Sequence, residues 1–277
     1  MSSQIKPQFR TIDGLSIRYA EGARTDGPDA LLLAPWPESV FAFDQAWDRL
    51  SRSARLVAVD LPGFGKSERN EALMNSKSMG DFIIKIADAF GLEKPHVVAP
   101  DVGTSAVLFA AAARPDRFSS LLVGSGATVV PIQLGGALRE WVLTTDLEPY
   151  RQLDGGDVVK MVLTTIKGFT PADEIRTDYI ESFQGDRFLK SMTYVRNYPE
   201  QLTALAELLP GIQVPVCVVA GAADNAVPVV NNEFLHARLP HSSLHLIEGA
   251  GHFCWEEQPD AYASLVTDWW KSGHTSV

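Results

Sequence analysis

Basic charge, cysteine and long apolar runs are all scarce in this sequence. Lys and Arg number 24 against 34 Asp and Glu, a formal net charge of −10 over 277 residues. So acidic a chain repels polyanions, which argues against nucleic acid as a partner. No stretch approaches the roughly 18 consecutive apolar residues of a membrane span. The start, MSSQIKPQFR, has no apolar run leading to a small-residue cleavage site. The expectation is a soluble, cytoplasmic protein with no membrane partner. Only two cysteines occur, Cys217 in VPVCVVA and Cys254 in HFCWEE, without CxxC or metal-type spacing. They read as buried free thiols. His241 and His245 lie four apart but have no third ligand nearby in sequence, so neither metal nor cofactor is expected.

With 45% hydrophobic and 21% charged residues, the chain can bury one large core, and a disordered or fibrous chain is excluded. FRTIDGLSIRYAEG reads as two strands joined by an Asp13-Gly14 turn. Short β-branched runs (DALLLAP, RLVAVDLPGFG, PHVVAP, RFSSLLVGSG) then alternate with helical patterns, among them a helix at about 78–92 and an Ala-rich helix ended by Pro115. This rhythm implies βαβ units: an α/β fold with a mostly parallel central sheet flanked by helices. It breaks between about Ala127 and Leu205 and resumes at VPVCVVAGAADN and SSLHLIEGAGH. We therefore expect a core of residues 1–126 and 206–277 carrying an inserted helical cap, 127–205. DAYASLVTDWWKS reads as a closing helix, and an exposed member of Trp269-Trp270 would mark a homodimer contact.

Reactive groups in such sheets gather at the carboxyl ends of the strands. Three ionisable residues fall there in order: Asp101 after PHVVAP, Asp224 after VCVVAGAA, and His252 after LHLIEGAG. Nucleophile, acid, base is the order of an α/β-hydrolase triad. Ala99-Pro100-Asp101-Val102-Gly103 stands where G-x-S-x-G would, with small residues two before and two after the apex, as a sharp strand-to-helix elbow requires. A carboxylate at a helix N-terminus is kept ionised by the dipole and free N–H groups. A plain N-cap is the structural alternative for Asp101, and Glu248, four residues before His252, competes with Asp224 as the acid.

On these residues the chain resembles the α/β-hydrolase fold superfamily, in particular its aspartate-nucleophile branch of epoxide hydrolases and haloalkane dehalogenases. Trp36-Pro37-Glu38-Ser39 is similar to the first-loop motif of epoxide hydrolases, whereas Ala34-Pro35 departs from the usual His-Gly; VAVDLPGFGKSE is typical of the superfamily. The resemblance implies that Asp101 attacks an electrophilic carbon to form an alkyl-enzyme ester. His252, oriented by Asp224, then activates the water that cleaves it. The oxyanion would be held by the N–H groups of Val102 and, since Pro35 cannot donate, of Trp36. Met192-Thr193-Tyr194-Val195-Arg196-Asn197-Tyr198 resembles the tyrosine-bearing cap stretch of epoxide hydrolases, so Tyr194 is the first proton donor to test, with Tyr198, Tyr150 and Tyr179 behind it.

The substrate is expected to be a small apolar or moderately polar electrophile that meets water in a pocket walled by Trp36, Phe41, Trp141 and Phe169. An epoxide ranks ahead of an alkyl halide, because Val102 stands where dehalogenases usually carry Trp, although Trp36 or Trp141 could substitute. A serine esterase or lactonase through Ser105 or Ser125, and a non-catalytic binding member of the fold, are the other readings.

Overall fold

In the computed structural model, which describes residues 3–23 and 26–272, Asp13 and Gly14 take φ of 49° and 81° and fold β1 (Gln8–Ile12) back onto β2 (Leu15–Glu21). Positive φ at both central positions matches the twist of a two-residue hairpin. The chain continues through β3 (Asp29–Leu33), α1 (Asp44–Ser51), β4 (Arg55–Val59), α2 (Ser76–Ala89), β5 (His96–Pro100), α3 (Val102–Ala113) and β6 (Ser120–Gly124). After the insertion come β7 (Val216–Gly221), α10 (Val230–Arg238), β8 (Ser242–Ile247), the short α11 (Cys254–Glu257) and α12 (Pro259–Lys271). The strands form one sheet in the order β1-β2-β4-β3-β5-β6-β7-β8. β2 is antiparallel to both neighbours and every later pairing is parallel.

Every residue of β5, β6 and β7 is buried, since helices cover both sheet faces; this is why these strands read as unbroken apolar runs. The helix expected at 78–92 runs instead from Ser76 to Ala89. Its start is set by Asn75, whose side chain accepts the Ser78 N–H, and its end by Gly91 at φ 62°. Both cysteines are buried and free, and Trp270 packs inward on His96.

Between β6 and β7 the described residues form only helices: α4 (Gly136–Leu143), α5 (Glu148–Arg151), α6 (Gly155–Leu163), α7 (Asp173–Ser182), α8 (Arg187–Arg196) and α9 (Tyr198–Leu208). α9 runs three residues past Leu205, so the expected boundary falls inside a helix. The insertion is fastened to the sheet through Asp178 on α7, which accepts from Arg18 Nη2 at 2.9 Å and Ser39 Oγ at 2.8 Å and pairs with Lys66 Nζ at 2.9 Å.

Candidate active site

Asp101 lies between the last residue of β5 and the first of α3 at φ 54°, ψ −121°, a conformation that strains any residue with a Cβ. The surroundings hold it there. Its N–H donates to the Gly124 carbonyl at 2.9 Å, and Thr104 Oγ1 donates to the Ala99 carbonyl at 2.9 Å. A Cβ on Gly103 would stand 3.2 Å from the Ala99 Cβ and 3.3 Å from that of Leu33, which is the steric reason for small residues around the elbow. Asp101 makes no side-chain cap bond to its helix.

Asp101 Oδ2 accepts the Trp36 N–H at 2.8 Å, and the Val102 N–H lies near enough to the carboxylate to favour its ionised form. Oδ1 stands 3.8 Å from His252 Nε2. On the far side of the imidazole, Nδ1 pairs with Asp224 Oδ2 at 2.9 Å. The other oxygen of Asp224 is occupied by the N–H groups of Ala226 and Val227 at 2.9 and 2.8 Å, so this carboxylate is fixed in plane. Burial raises the Asp101 carboxyl, the charge of His252 and the two N–H groups lower it, and it comes to about 6. Burial lowers His252, but Asp224 and Asp101 outweigh it and hold the imidazolium up to about 9.

The competing residues lie apart from this chain of contacts. Glu248 is exposed. Ser105 Oγ bonds Ser76 Oγ at 2.8 Å, and Ser125 Oγ lies 4.0 Å from Cys254 Sγ.

A cavity of about 330 Å³ opens onto Asp101 and His252. Trp36, Leu138, Trp141, Val162 and Phe253 give it an apolar wall; Thr165, Lys167 and Asn225 add polar groups. The Trp36 ring stacks on Phe188 at 5.0 Å and meets Trp141 edge-on at 5.5 Å, while its indole N–H is taken by Ser191 Oγ at 2.9 Å. One wall is closed where Gly135 meets the loop that follows Asp224: its N–H donates to the Ala226 carbonyl, and a Cβ there would lie 1.9 Å from the Asn225 carbonyl oxygen.

The tyrosines depart from expectation. Tyr194 is fully buried, its hydroxyl donates to the Val102 carbonyl at 3.0 Å, and its ring meets Phe64 edge-on. Tyr198 packs behind it at 5.8 Å. Neither lines the cavity, nor do Tyr150 or Tyr179. A buried phenol needs a hydrogen-bond partner, and α8 docks so that Tyr194 finds one in the core. Tyr179 donates to Glu256 Oε1 at 2.9 Å. Phe41 and Phe169 also lie outside the cavity wall; Phe41 sits under the Arg18 guanidinium instead.

Two carboxyl arrangements that sequence patterns do not reveal brace these loops. Glu38, two residues past Trp36, is hydrogen-bonded to Glu256, four past His252, and also accepts the Trp255 indole N–H at 2.8 Å. Burial first, and each other's charge second, keep Glu38 well above the usual carboxylate range, and burial brings Glu256 to about 7, so the pair retains a proton. Glu257 accepts from the Gly251 N–H and, at 3.1 Å, from the Lys167 N–H, tying the α6–α7 loop to the loop that carries His252. Asn225, next to Asp224, had a signal in its position; Lys167 had none.

This sheet, with an elbow residue after β5, an acid after β7 and a histidine after β8, is that of the alpha/beta hydrolase fold family, which the sequence matches over residues 36–259. The chain belongs to that family and is a hydrolase of this fold. It is 26% identical over 272 residues to the uncharacterized hydrolase YugF of Bacillus subtilis, covering 94% of this chain and 96% of YugF. Among solved structures, haloalkane dehalogenase DbeA from Bradyrhizobium elkani aligns with a TM-score of 0.82 at 20% identity, covering 98% of this chain and 99% of DbeA. Epoxide hydrolase VrEH1 from Vigna radiata aligns with a TM-score of 0.78 at 20% identity over 97% and 98% of the two chains. These structural likenesses establish the fold and leave the reaction to the site.

Proposed function

We propose that this hydrolase works through an alkyl ester on Asp101, with an epoxide opened to a diol as its reaction, and that helices 127–205 act as a cap over a core of 1–126 and 206–277. The division of labour between the two Asp101 oxygens carries this reading. Oδ2 is occupied by the Trp36 N–H at 2.8 Å, while Oδ1 faces His252 Nε2 at 3.8 Å.

In the first step Oδ1 forms a bond to an epoxide carbon, the ring C–O bond breaks and the departing oxygen gains a proton. Oδ2 becomes the ester carbonyl, already bonded to the Trp36 amide, with the Val102 amide beside the carboxylate. In the second step a water adds to that carbonyl and gives its proton to His252 Nε2; the negative charge on Oδ2 is met by the same two N–H groups. Collapse breaks the bond between the carboxyl carbon and Oδ1, His252 returns its proton to that oxygen, the diol leaves carrying it, and the Asp101 carboxyl, which keeps the water's other proton, releases it to solvent before the next turnover. Asp224 holds the ring and balances the imidazolium.

One observation favours a second leaving group. Trp141 lines the cavity and its indole N–H has no hydrogen bond among the described residues, so it is a donor suited to a halide.

Intact mass of His252→Gln after exposure to matched epoxides and alkyl bromides tests the proposal. The expected result is a gain equal to the whole epoxide, abolished by Asp101→Asn. A gain only from bromides, lacking the halogen, would replace the epoxide by a halide. A folded variant that gains nothing from either, while the wild type binds both unchanged, would make the chain a binding member of the fold.

A further inference from the structure

An alkoxide leaving a carbon needs a proton, and the buried tyrosines leave that donor unassigned. The ionisable side chains that line the cavity are Asp101, Lys167 and His252. Asp101 is the nucleophile, and His252, whose Nε2 stands 3.8 Å from its attacking oxygen, is taken up as the base of the second step. Thr165, Asn225 and Trp141 offer neutral O–H and N–H groups, which stabilise charge but do not give up a proton readily at neutral pH. Lys167 is left.

The placement of Lys167 is built into the site. Its main chain is held by Glu257, the carboxylate that also holds Gly251, the residue before His252. Its Nζ reaches within 3.6 Å of where a Gly251 Cβ would be, so the ammonium lies along the loop that carries the base. Nζ makes no ion pair or hydrogen bond among the described residues, in a chain with ten more acidic than basic side chains. Lys167 is also exposed to solvent, so an amine that has given up its proton is recharged from water between turnovers.

Resting on the ester mechanism above, we infer that Lys167 is the general acid of ring opening, its ammonium giving a proton to the epoxide oxygen as Asp101 forms the ester. The N–H bond breaks as the O–H bond forms, and His252 is left for the second step alone.

The test is single-turnover ester formation in the His252→Gln background, with and without Lys167→Met, on an epoxide and an alkyl bromide of the same carbon skeleton. Bromide leaves without a proton. Lys167→Met is expected to slow ester formation from the epoxide about 100-fold or more, the usual contribution of a general acid, and to leave the bromide rate within about twofold. Lys167→Arg, which keeps the charge but holds its protons more tightly, is expected to stay slow on the epoxide. Equal slowing on both substrates would make Lys167 a structural residue, and no slowing on the epoxide would place the donor elsewhere; either overturns the inference. Failure of His252→Gln alone to form any ester would instead remove the ester mechanism on which it rests.

Discussion

His252 sits between two carboxylates, and this position determines what the pH dependence of hydrolysis should be. Its imidazolium is held up to about 9 by Asp224 and Asp101 against the effect of burial, yet in the proposed mechanism the ester is cleaved only when Nε2 is free to take a proton from water. Ester hydrolysis should therefore rise with pH and level off below 9, because the esterified Asp101 no longer carries the charge that helps to hold the ring up. Asp224→Asn removes the largest upward influence on the ring, so the limb should move toward lower pH while the plateau rate falls by about 10³- to 10⁴-fold, the usual effect of losing the residue that orients a catalytic histidine. Rapid-mix kinetics on the isolated ester step checks both. An unmoved limb would show that some other group sets it.

At the scale of elements, the loops that end β5, β7 and β8 bring Asp101, Asp224 and His252 together, and the inserted helices close the space above them. Gly135, at the start of α4, packs against the acid loop so tightly that a Cβ would stand 1.9 Å from the Asn225 carbonyl. Gly135→Ala should thus push α4 off this loop, cost about 1–3 kcal/mol by overpacking, and raise KM more than it lowers kcat, because the wall moves while the triad stays anchored. Urea denaturation and steady-state kinetics measure the two effects.

The strand ends were legible in the sequence because each is a buried apolar run followed by Gly and a polar residue, and chain order then ranks the three ionisable groups. Trp36 could be read as a donor from the proline before it. The face of α8 could not be read. Ser191 and Tyr194 lie three apart on one side of this helix, and the sequence alone does not say whether that side meets the cavity or the core; the docking of the insertion through Asp178, Arg18 and Lys66 decides it. Lys167 was hidden for a related reason, since the Glu257 carboxylate that fixes it lies ninety residues further along the chain.

For the whole molecule, the same buried groups make folding depend on pH in one direction. Asp101 goes from 3.8 to about 6, Glu256 from 4.5 to about 7 and His252 from 6.5 to about 9 on folding. In each case the native chain holds its proton where the unfolded chain has released it, so stability is greatest below the unfolded value and falls as pH rises to the folded one. The three windows follow one another, and unfolding free energy should decline steadily from about pH 4 to pH 9. Exposed carboxylates contribute the opposite slope only at more acid pH: Glu71, held down by Arg69, and Asp154, held down by the Gly185 N–H. The uppermost window belongs to His252, worth about 3 kcal/mol at roughly 1.4 kcal/mol per pH unit. Urea denaturation of His252→Gln against wild type at pH 6, 7.5 and 9 isolates it. The variant should be less stable than wild type at pH 6 and close most of that gap by pH 9. A gap constant across this range would mean that the imidazole titrates alike in the folded and unfolded chain, and that its two carboxylate neighbours do no more than balance the effect of burying it.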